Sequence, residues 1–175
     1  MHVLFVCTGN ICRSPSAERL SAAFAAVHGI PDFTASSAGT RAVIGHPIHR
    51  DAAFVLETLG ADTSGFAARQ LTAKIASTAD LTIAMTSAHR DIVLEAAPRQ
   101  LKHTFTLTEA SHLAAMEDAE TLADLAGLRP RLSTKDKTDI PDPIGQSPEV
   151  FAAIGAQIAD LLPPIMELCR RTVRA

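Results

Sequence analysis

The hydrophobic pattern alternates between two spacings along the chain, and this alternation predicts short strands separated by helices. Compact apolar runs bounded by turn residues are typical of buried strands, and they occur at 3–6, 33–37, 80–85 and 102–107. Apolar residues at helical spacing predict helices at about 15–28, 48–59, 89–96, 108–126 and 151–171. Strands alternating with helices indicate an α/β fold with a parallel sheet covered on both faces. We expect one domain over residues 1–175, with its last helix bent or broken at Pro163 and Pro164.

Residues with reactive or polar side chains cluster at the end of the first predicted strand. Cys7 follows the strand directly, and a loop of small residues leads from it to Arg13, Ser14 and Pro15. Pro15 suits the first turn of a helix, and Ser14 has the side chain of an N-cap. A loop between a strand and a helix N-terminus gathers backbone N–H groups that can hold an oxyanion such as phosphate.

The side chains of this loop fit a phosphate cradle. Its members are Thr8, Gly9, Asn10, Ile11, Cys12 and Arg13. Gly9 and Asn10 tolerate the unusual dihedrals that such a loop needs, and the guanidinium of Arg13 can hold a tetrahedral dianion through paired hydrogen bonds. Among these donors we expect Cys7 to be a thiolate near neutral pH and to attack a bound phosphoryl group. The alternative is that Cys7 is a small buried side chain that ends a strand.

The segment Cys7–Ser14 (CTGNICRS), followed by PSAE, resembles the signature of the low-molecular-weight protein tyrosine phosphatases. This resemblance implies the strand order 2-1-3-4, a cysteinyl-phosphate intermediate on Cys7, and no metal or organic cofactor. It also implies that Ser14 donates a hydrogen bond to Cys7 and that Ser37 supports the phosphate loop. A reversible disulfide between Cys7 and Cys12 is a further implication, and the alternative is that Cys12 simply packs under the loop.

A second catalytic group is expected near the C-terminus, where the chain reads Asp139-Ile140-Pro141-Asp142-Pro143-Ile144. Prolines on both sides of Asp142 restrict its backbone. The family has an Asp-Pro pair at this place whose aspartate is the general acid, so the resemblance assigns that role to Asp142 and leaves Asp139 as the less favoured alternative. Taken alone, Asp-Pro is also a common turn signal.

The sequence departs from the family pattern where the substrate would be framed. Phe66 stands where a histidine usually helps to hold the loop asparagine, and Ile144 stands where an aromatic residue often follows the Asp-Pro pair. The chain contains no Tyr and no Trp. Phosphotyrosine on a protein remains the leading predicted substrate, with a phosphoarginine or a small aryl phosphate as alternatives. Phosphoarginine phosphatases tend to carry threonine at the position of Ile11, which argues against that substrate.

Two further functions fit the scaffold less well. Arsenate reductases on this scaffold need mid-chain cysteines, and none lies between Cys12 and Cys169. A non-catalytic phosphate-binding module would not need Cys7, Arg13 and Asp142 together.

Composition limits the classes of partner that the protein is expected to bind. The formal net charge is −3 and no basic stripe is present, which argues against nucleic acid. We expect no membrane-spanning segment, because no apolar run approaches the length of a membrane span, and no signal peptide is visible. Three cysteines, an odd number, favour a reducing cytoplasm. The expected oligomeric state is a monomer or weak dimer. The scattered histidines are interpreted as surface or packing residues: His28, His46, His49, His89, His103 and His112.

Overall fold

Four parallel strands form one sheet in the order β2-β1-β3-β4 in the computed structural model, which describes residues 1–174. The strands are β1 His2–Cys7, β2 Thr34–Gly39, β3 Leu81–Ala84 and β4 Thr104–Thr106. All three pairings are parallel, and Cys7 at the end of β1 lies opposite Gly39 at the end of β2. The predicted α/β fold and the strand order implied by the resemblance are confirmed.

Seven α-helices connect and cover the strands in the described part of the chain. They are α1 Arg13–His28, α2 Arg50–Thr58, α3 Ala73–Ser77, α4 Ser87–Ala96, α5 Leu107–Ala114, α6 Leu125–Leu128 and α7 Pro148–Arg174. Short 3-10 turns occupy Pro98–His103, Leu122–Asp124, Arg129–Arg131 and Thr134–Asp136.

The central strand β1 is buried on both faces, which explains its uninterrupted apolar sequence. Side chains alternate across a strand, so Val3 and Phe5 join the core formed with α1, α5 and α7. Leu4 and Val6 join a second core formed with α3 and α4. The helices therefore lie on both faces of the sheet, as the pattern predicted.

The prediction of a long helix over 108–126 is wrong. Helix α5 begins one residue earlier, because Thr106 rather than Thr108 is its N-cap and forms a capping box with Glu109. The helix ends at Ala114, and the chain then turns. At Thr121 the side chain of Asp124 accepts hydrogen bonds from both the backbone N–H and the hydroxyl, which starts a new turn instead of continuing the helix.

Two smaller differences lie on either side of α4. The predicted strand over 102–107 is only three residues long, because Pro98–His103 forms a 3-10 turn and Thr106 already caps α5. Helix α3 was not predicted. It begins after Thr72, whose hydroxyl accepts a hydrogen bond from the Ile75 backbone, and five residues carry too little periodicity to be recognised.

Helix α7 continues through Pro163 and Pro164, so it is not broken there as the sequence suggested. Each proline removes one helical N–H donor. The loss is tolerated because the neighbouring Leu162, Ile165 and Met166 are buried in the main core. By length and composition alone this helix could also cross a membrane, contrary to the expectation from the sequence. Here it packs against α1, α2 and α5, and core helices meet the same two criteria.

The contact between β2 and the loop after β1 generates a prediction. A Cβ on Gly39 would lie 2.5 Å from the backbone oxygen of Thr8 and 3.0 Å from Ala42. Because backbone cannot swing aside, Gly39→Ala should lower the free energy of unfolding by about 1–3 kcal/mol. Urea denaturation measures this.

Gly127→Ala is the matched control, since a Cβ at Gly127 would meet nothing within 4 Å. Gly127 lies in α6, so the substitution should be neutral or should stabilise by up to about 1 kcal/mol. Equal effects of the two substitutions would contradict the steric explanation.

Candidate active site

The loop between β1 and α1 places Cys7 and Ser14 side by side. The Sγ of Cys7 lies 2.9 Å from the Oγ of Ser14, and both residues are buried. Helix α1 begins at Arg13, not at Pro15, and its N-cap Cys12 makes no side-chain capping bond. Ser14 is therefore not the N-cap that the sequence suggested. It lies inside the helix, and its hydroxyl contacts the sulfur.

Asn10 shapes the loop from inside. Its φ is 55°, in the left-handed region that asparagine tolerates better than most residues. Its Nδ2 donates to Ser14 Oγ at 3.0 Å and to Ser37 Oγ at 2.7 Å. Its Oδ1 accepts from the backbone N–H of Arg69 at 2.9 Å. The Arg69 backbone thus provides a bond to Asn10 that does not involve Phe66.

Glu18 completes this network at the end remote from the cleft, a position that sequence reasoning did not assign. Ser37 Oγ donates to Glu18 Oε2 at 2.5 Å. Because Asn10 donates to both serines, each serine keeps its own proton to pass on, Ser37 to Glu18 and Ser14 to the Cys7 sulfur. Burial raises the pKa of Glu18, chiefly by removing solvent from its carboxylate.

The segment after β2 clamps the loop from outside. The backbone N–H of Arg41 donates to the Thr8 carbonyl at 3.0 Å, and that of Val43 donates to the Gly9 carbonyl at 2.9 Å. The side chains of Arg41 and Val43 remain exposed. They form the rim of a cleft of about 240 Å³ lined by Cys7, Thr8, Gly9, Ile11, Cys12, Arg13, Arg41, Val43, Asp142 and Ile144.

Arg13 and Asp142 meet across this cleft, although 129 positions separate them. The side chain of Arg13 is 5% exposed, and its guanidinium donates to Asp142 Oδ2 at 2.6 Å and to the Ile140 carbonyl at 2.9 Å. The Asp142 side chain is 48% exposed. Asp139 is engaged elsewhere, because its carboxylate accepts from the backbone N–H of Ser87 at 2.7 Å at the start of α4.

The three cysteines form no disulfide. Burial raises the pKa of Cys12 to about 12, and the negative charges of Cys7 and Asp142 add to that effect. A disulfide between Cys7 and Cys12 stays a prediction, and a protonated Cys12 would be a slow partner in forming it. Cys169 is fully buried in the main core, and burial raises its pKa to about 12.

His89 was interpreted as a surface or packing residue, but it touches the phosphate loop. Its Nε2 lies 2.8 Å from Thr8 Oγ1 and its Nδ1 lies 2.8 Å from Thr86 Oγ1. No signal near His89 in the sequence points to Thr8, since the contact depends on the fold. Within residues 1–174, no group of three or more His, Cys, Asp or Glu side chains could hold a metal ion.

The chain is similar to phosphatases over most of its length. The family "low molecular weight phosphotyrosine protein phosphatase" matches residues 2–124, a range that stops before Asp142. The low molecular weight protein-tyrosine-phosphatase Etp of Escherichia coli K12 is 42% identical over 96 residues, which are 55% of this chain and 62% of Etp. A putative low molecular weight protein-tyrosine-phosphatase of Klebsiella pneumoniae is 30% identical over 152 residues, 87% of this chain and 85% of that protein.

Solved structures extend the similarity to the C-terminal part. The YwlE arginine phosphatase, in a C7S mutant with a phosphorylated active-site serine, has a TM-score of 0.77 and 26% identity, covering 95% of this chain and 94% of YwlE. The Wzb protein of Vibrio vulnificus, in complex with benzylphosphonate, has a TM-score of 0.73 and 26% identity, covering 95% and 97%. The chain belongs to the low-molecular-weight phosphotyrosine protein phosphatase family.

Proposed function

We propose that this protein hydrolyses phosphotyrosine in proteins through a cysteinyl-phosphate intermediate. The observation that carries the proposal is the cleft itself, in which Cys7, Arg13 and Asp142 face one space of about 240 Å³. A nucleophile, a fixed cation and a carboxyl group in one cleft are what phosphoryl transfer to a thiolate needs. The phosphorylated serine in the YwlE mutant supports a covalent intermediate in this family.

In the first step the Cys7 thiolate attacks phosphorus, so that an S–P bond forms as the bond to the leaving oxygen breaks. Arg13 and the backbone N–H groups of residues 8–13 hold the three other phosphoryl oxygens. Asp142 gives its proton to the leaving oxygen, which departs as a neutral alcohol.

In the second step a water molecule attacks the phosphorus of the intermediate. Asp142, now a carboxylate, takes one proton from the water, while the S–P bond breaks and returns Cys7 as a thiolate. Ser14, 2.9 Å from the sulfur, donates a hydrogen bond that stabilises this leaving thiolate. Inorganic phosphate is released, and the protein returns to its starting state.

The bond between Arg13 and Asp142 explains how substrate prepares the acid. In the free protein the guanidinium holds the Asp142 carboxylate at 2.6 Å. A bound phosphoryl dianion competes for the same guanidinium and repels the carboxylate. Asp142 is thereby released from Arg13, takes up a proton from solvent and can reach the leaving oxygen.

The walls of the cleft favour phosphotyrosine over phosphoarginine. Val43 and Ile144 are 39% and 45% exposed and provide aliphatic surface for an aromatic ring. Arg41 places a positive charge at the rim, which repels the cationic guanidinium of a phosphoarginine and attracts acidic residues around a phosphotyrosine. The similarity to YwlE makes phosphoarginine the second candidate substrate.

The three free, buried thiols also support a reducing compartment, and we propose a cytoplasmic protein that acts as a monomer or weak dimer. Sedimentation at several concentrations with fractionation of cells tests both points.

Cys7→Ser should abolish turnover of an aryl phosphate while phosphate still binds, because only the nucleophile is lost. Asp142→Asn should lower kcat/KM, which reports the first chemical step, by a factor of about 10² to 10⁴ for phosphates of alkyl-substituted phenols. The loss should be far smaller for nitrophenyl phosphate, since good leaving groups need little acid catalysis. Steady-state kinetics and calorimetry with inorganic phosphate measure the two effects.

Asp160→Asn is the control for the loss of a carboxylate, because Asp160 is exposed on α7. It should leave kcat unchanged for every leaving group. A Cys7→Ser protein with near-normal turnover would refute the mechanism.

Arg41→Glu should weaken the preference for phosphotyrosine over phosphoarginine. We expect kcat/KM for acid-flanked phosphotyrosine peptides to fall by about twofold to fivefold relative to phosphoarginine peptides, as expected for exposed charges several ångströms apart. Arg99→Glu makes the same charge change on the turn after α4, at the opposite edge of the sheet, and should leave the ratio unchanged. A substrate panel with both variants decides between the two substrates.

A further inference from the structure

His89 joins two parts of the site that the covalent chain keeps far apart. It lies in the first turn of α4 and is 6% exposed. One ring nitrogen contacts Thr8 in the phosphate loop, 81 positions away, and the other contacts Thr86, the N-cap of the same helix. Both distances are 2.8 Å, so the ring fills the space between two hydroxyl groups.

The hydrogen bonds of Thr86 favour one tautomer of the ring. Thr86 Oγ1 already accepts the backbone N–H of His89 at 3.2 Å, as an N-cap does. Its own proton can then be donated to Nδ1 of the ring. In that tautomer Nε2 carries the ring proton and donates it to Thr8 Oγ1. This arrangement requires a neutral imidazole, because a protonated ring has no acceptor.

The surroundings keep the ring neutral. Burial lowers the pKa of His89 from 6.5 to about 4, and the guanidinium of Arg13 acts in the same direction. Asp139 and Asp142 are the carboxylates that face the ring, and they oppose this shift without cancelling it.

The N-terminus of α4, which contains His89, also holds the segment that carries Asp142. Ser87, the first residue of α4, donates its backbone N–H to Asp139 at 2.7 Å and its hydroxyl to the same carboxylate at 3.3 Å. The backbone N–H of Ile140 donates to the Met85 carbonyl at 2.9 Å. Asp142 follows two residues later, so its position is set from α4 and the end of β3.

We propose that His89 is a positioning residue that holds the phosphate loop and the Asp142 segment at a fixed distance from one another. Arg13 also links the two, through Ile140 and Asp142, but a bound phosphoryl group competes for its guanidinium. The link through Thr8, His89 and Thr86 consists of side chains that a phosphate on Arg13 does not displace. It therefore persists when the acid has to reach the leaving oxygen.

The kinetic test rests on the proposed function and uses the coupling between His89 and Asp142. His89→Leu should lower kcat for alkyl-substituted phenyl phosphates by about tenfold to a hundredfold, as expected for a misplaced catalytic group, with KM changed less than twofold. Thr8→Val, which removes the same link from its other end, should act alike. His89→Gln keeps one donor and one acceptor and should recover part of the rate.

In an Asp142→Asn background the His89→Leu loss should disappear, because there is no acid left to misplace. A loss of the same size in both backgrounds, or a rise in KM at constant kcat, would overturn the inference. If the wild-type protein shows no turnover that depends on Cys7, the proposed function is overturned instead.

Hydrogen exchange tests the positioning role of His89 independently of turnover. Backbone amides in 139–144 should exchange faster in His89→Leu and in Thr8→Val than in the wild type. Unchanged exchange in Thr8→Val, which replaces a half-buried side chain by one of the same shape, would refute the positioning role even if His89→Leu were too unstable to study.

The neutral ring also predicts how stability depends on pH. In the unfolded chain His89 gains a proton near pH 6.5, whereas in the folded protein it does so near pH 4. Its contribution to stability is therefore complete above pH 6.5 and is lost as the pH falls toward 4. Urea unfolding at pH 7.5 and 5.0 should show a larger loss in the wild type than in His89→Gln. Equal losses in the two proteins would show that the ring is not held neutral, and they would contradict the hydrogen bonds assigned to it.

Discussion

The left-handed conformation of Asn10 is the constraint on which the phosphate loop depends. At a φ of 55° the backbone turns sharply after Gly9, and the amide of Asn10 points inward to Ser14 and Ser37. One amide group thereby fixes the direction of a whole line of hydrogen bonds, from the carboxylate of Glu18 to the sulfur of Cys7. Such strain persists only where the surroundings over-determine it, and the hydrogen bonds to Ser14, Ser37 and Arg69 do so here.

Two supports meet at this loop, and they act on opposite ends of the reaction. Asn10 and its serines hold the sulfur from behind, where the thiolate must leave in the second step. Arg13 in the loop and His89 in α4 connect the loop to the segment of Asp142, where the alcohol must leave in the first step. The loop follows β1 and α4 follows β3, and these two strands are paired, so the sheet holds the two parts of the site beside each other.

The sequence predicted what is local and missed what depends on distant partners. The first strand and the loop from Cys7 to Arg13 follow from a short stretch of residues. The parallel sheet follows from the alternation of strands with helices. The start of α5 was misplaced because Thr106 and Thr108 are both plausible caps, and only Thr106 has Glu109 three positions later. Helix α7 survives two prolines through tertiary packing. The role of His89 could not be predicted, because Thr8 lies 81 positions away.

The clamp between the rim and the phosphate loop has an evolutionary consequence. Arg41 and Val43 are held by their backbone N–H groups, which any residue except proline possesses, while their side chains extend freely over the cleft. Selection can therefore exchange those side chains after a gene duplication without disturbing the residues that carry out the chemistry. One catalytic loop could in this way be inherited unchanged by enzymes that recognise different phosphorylated residues.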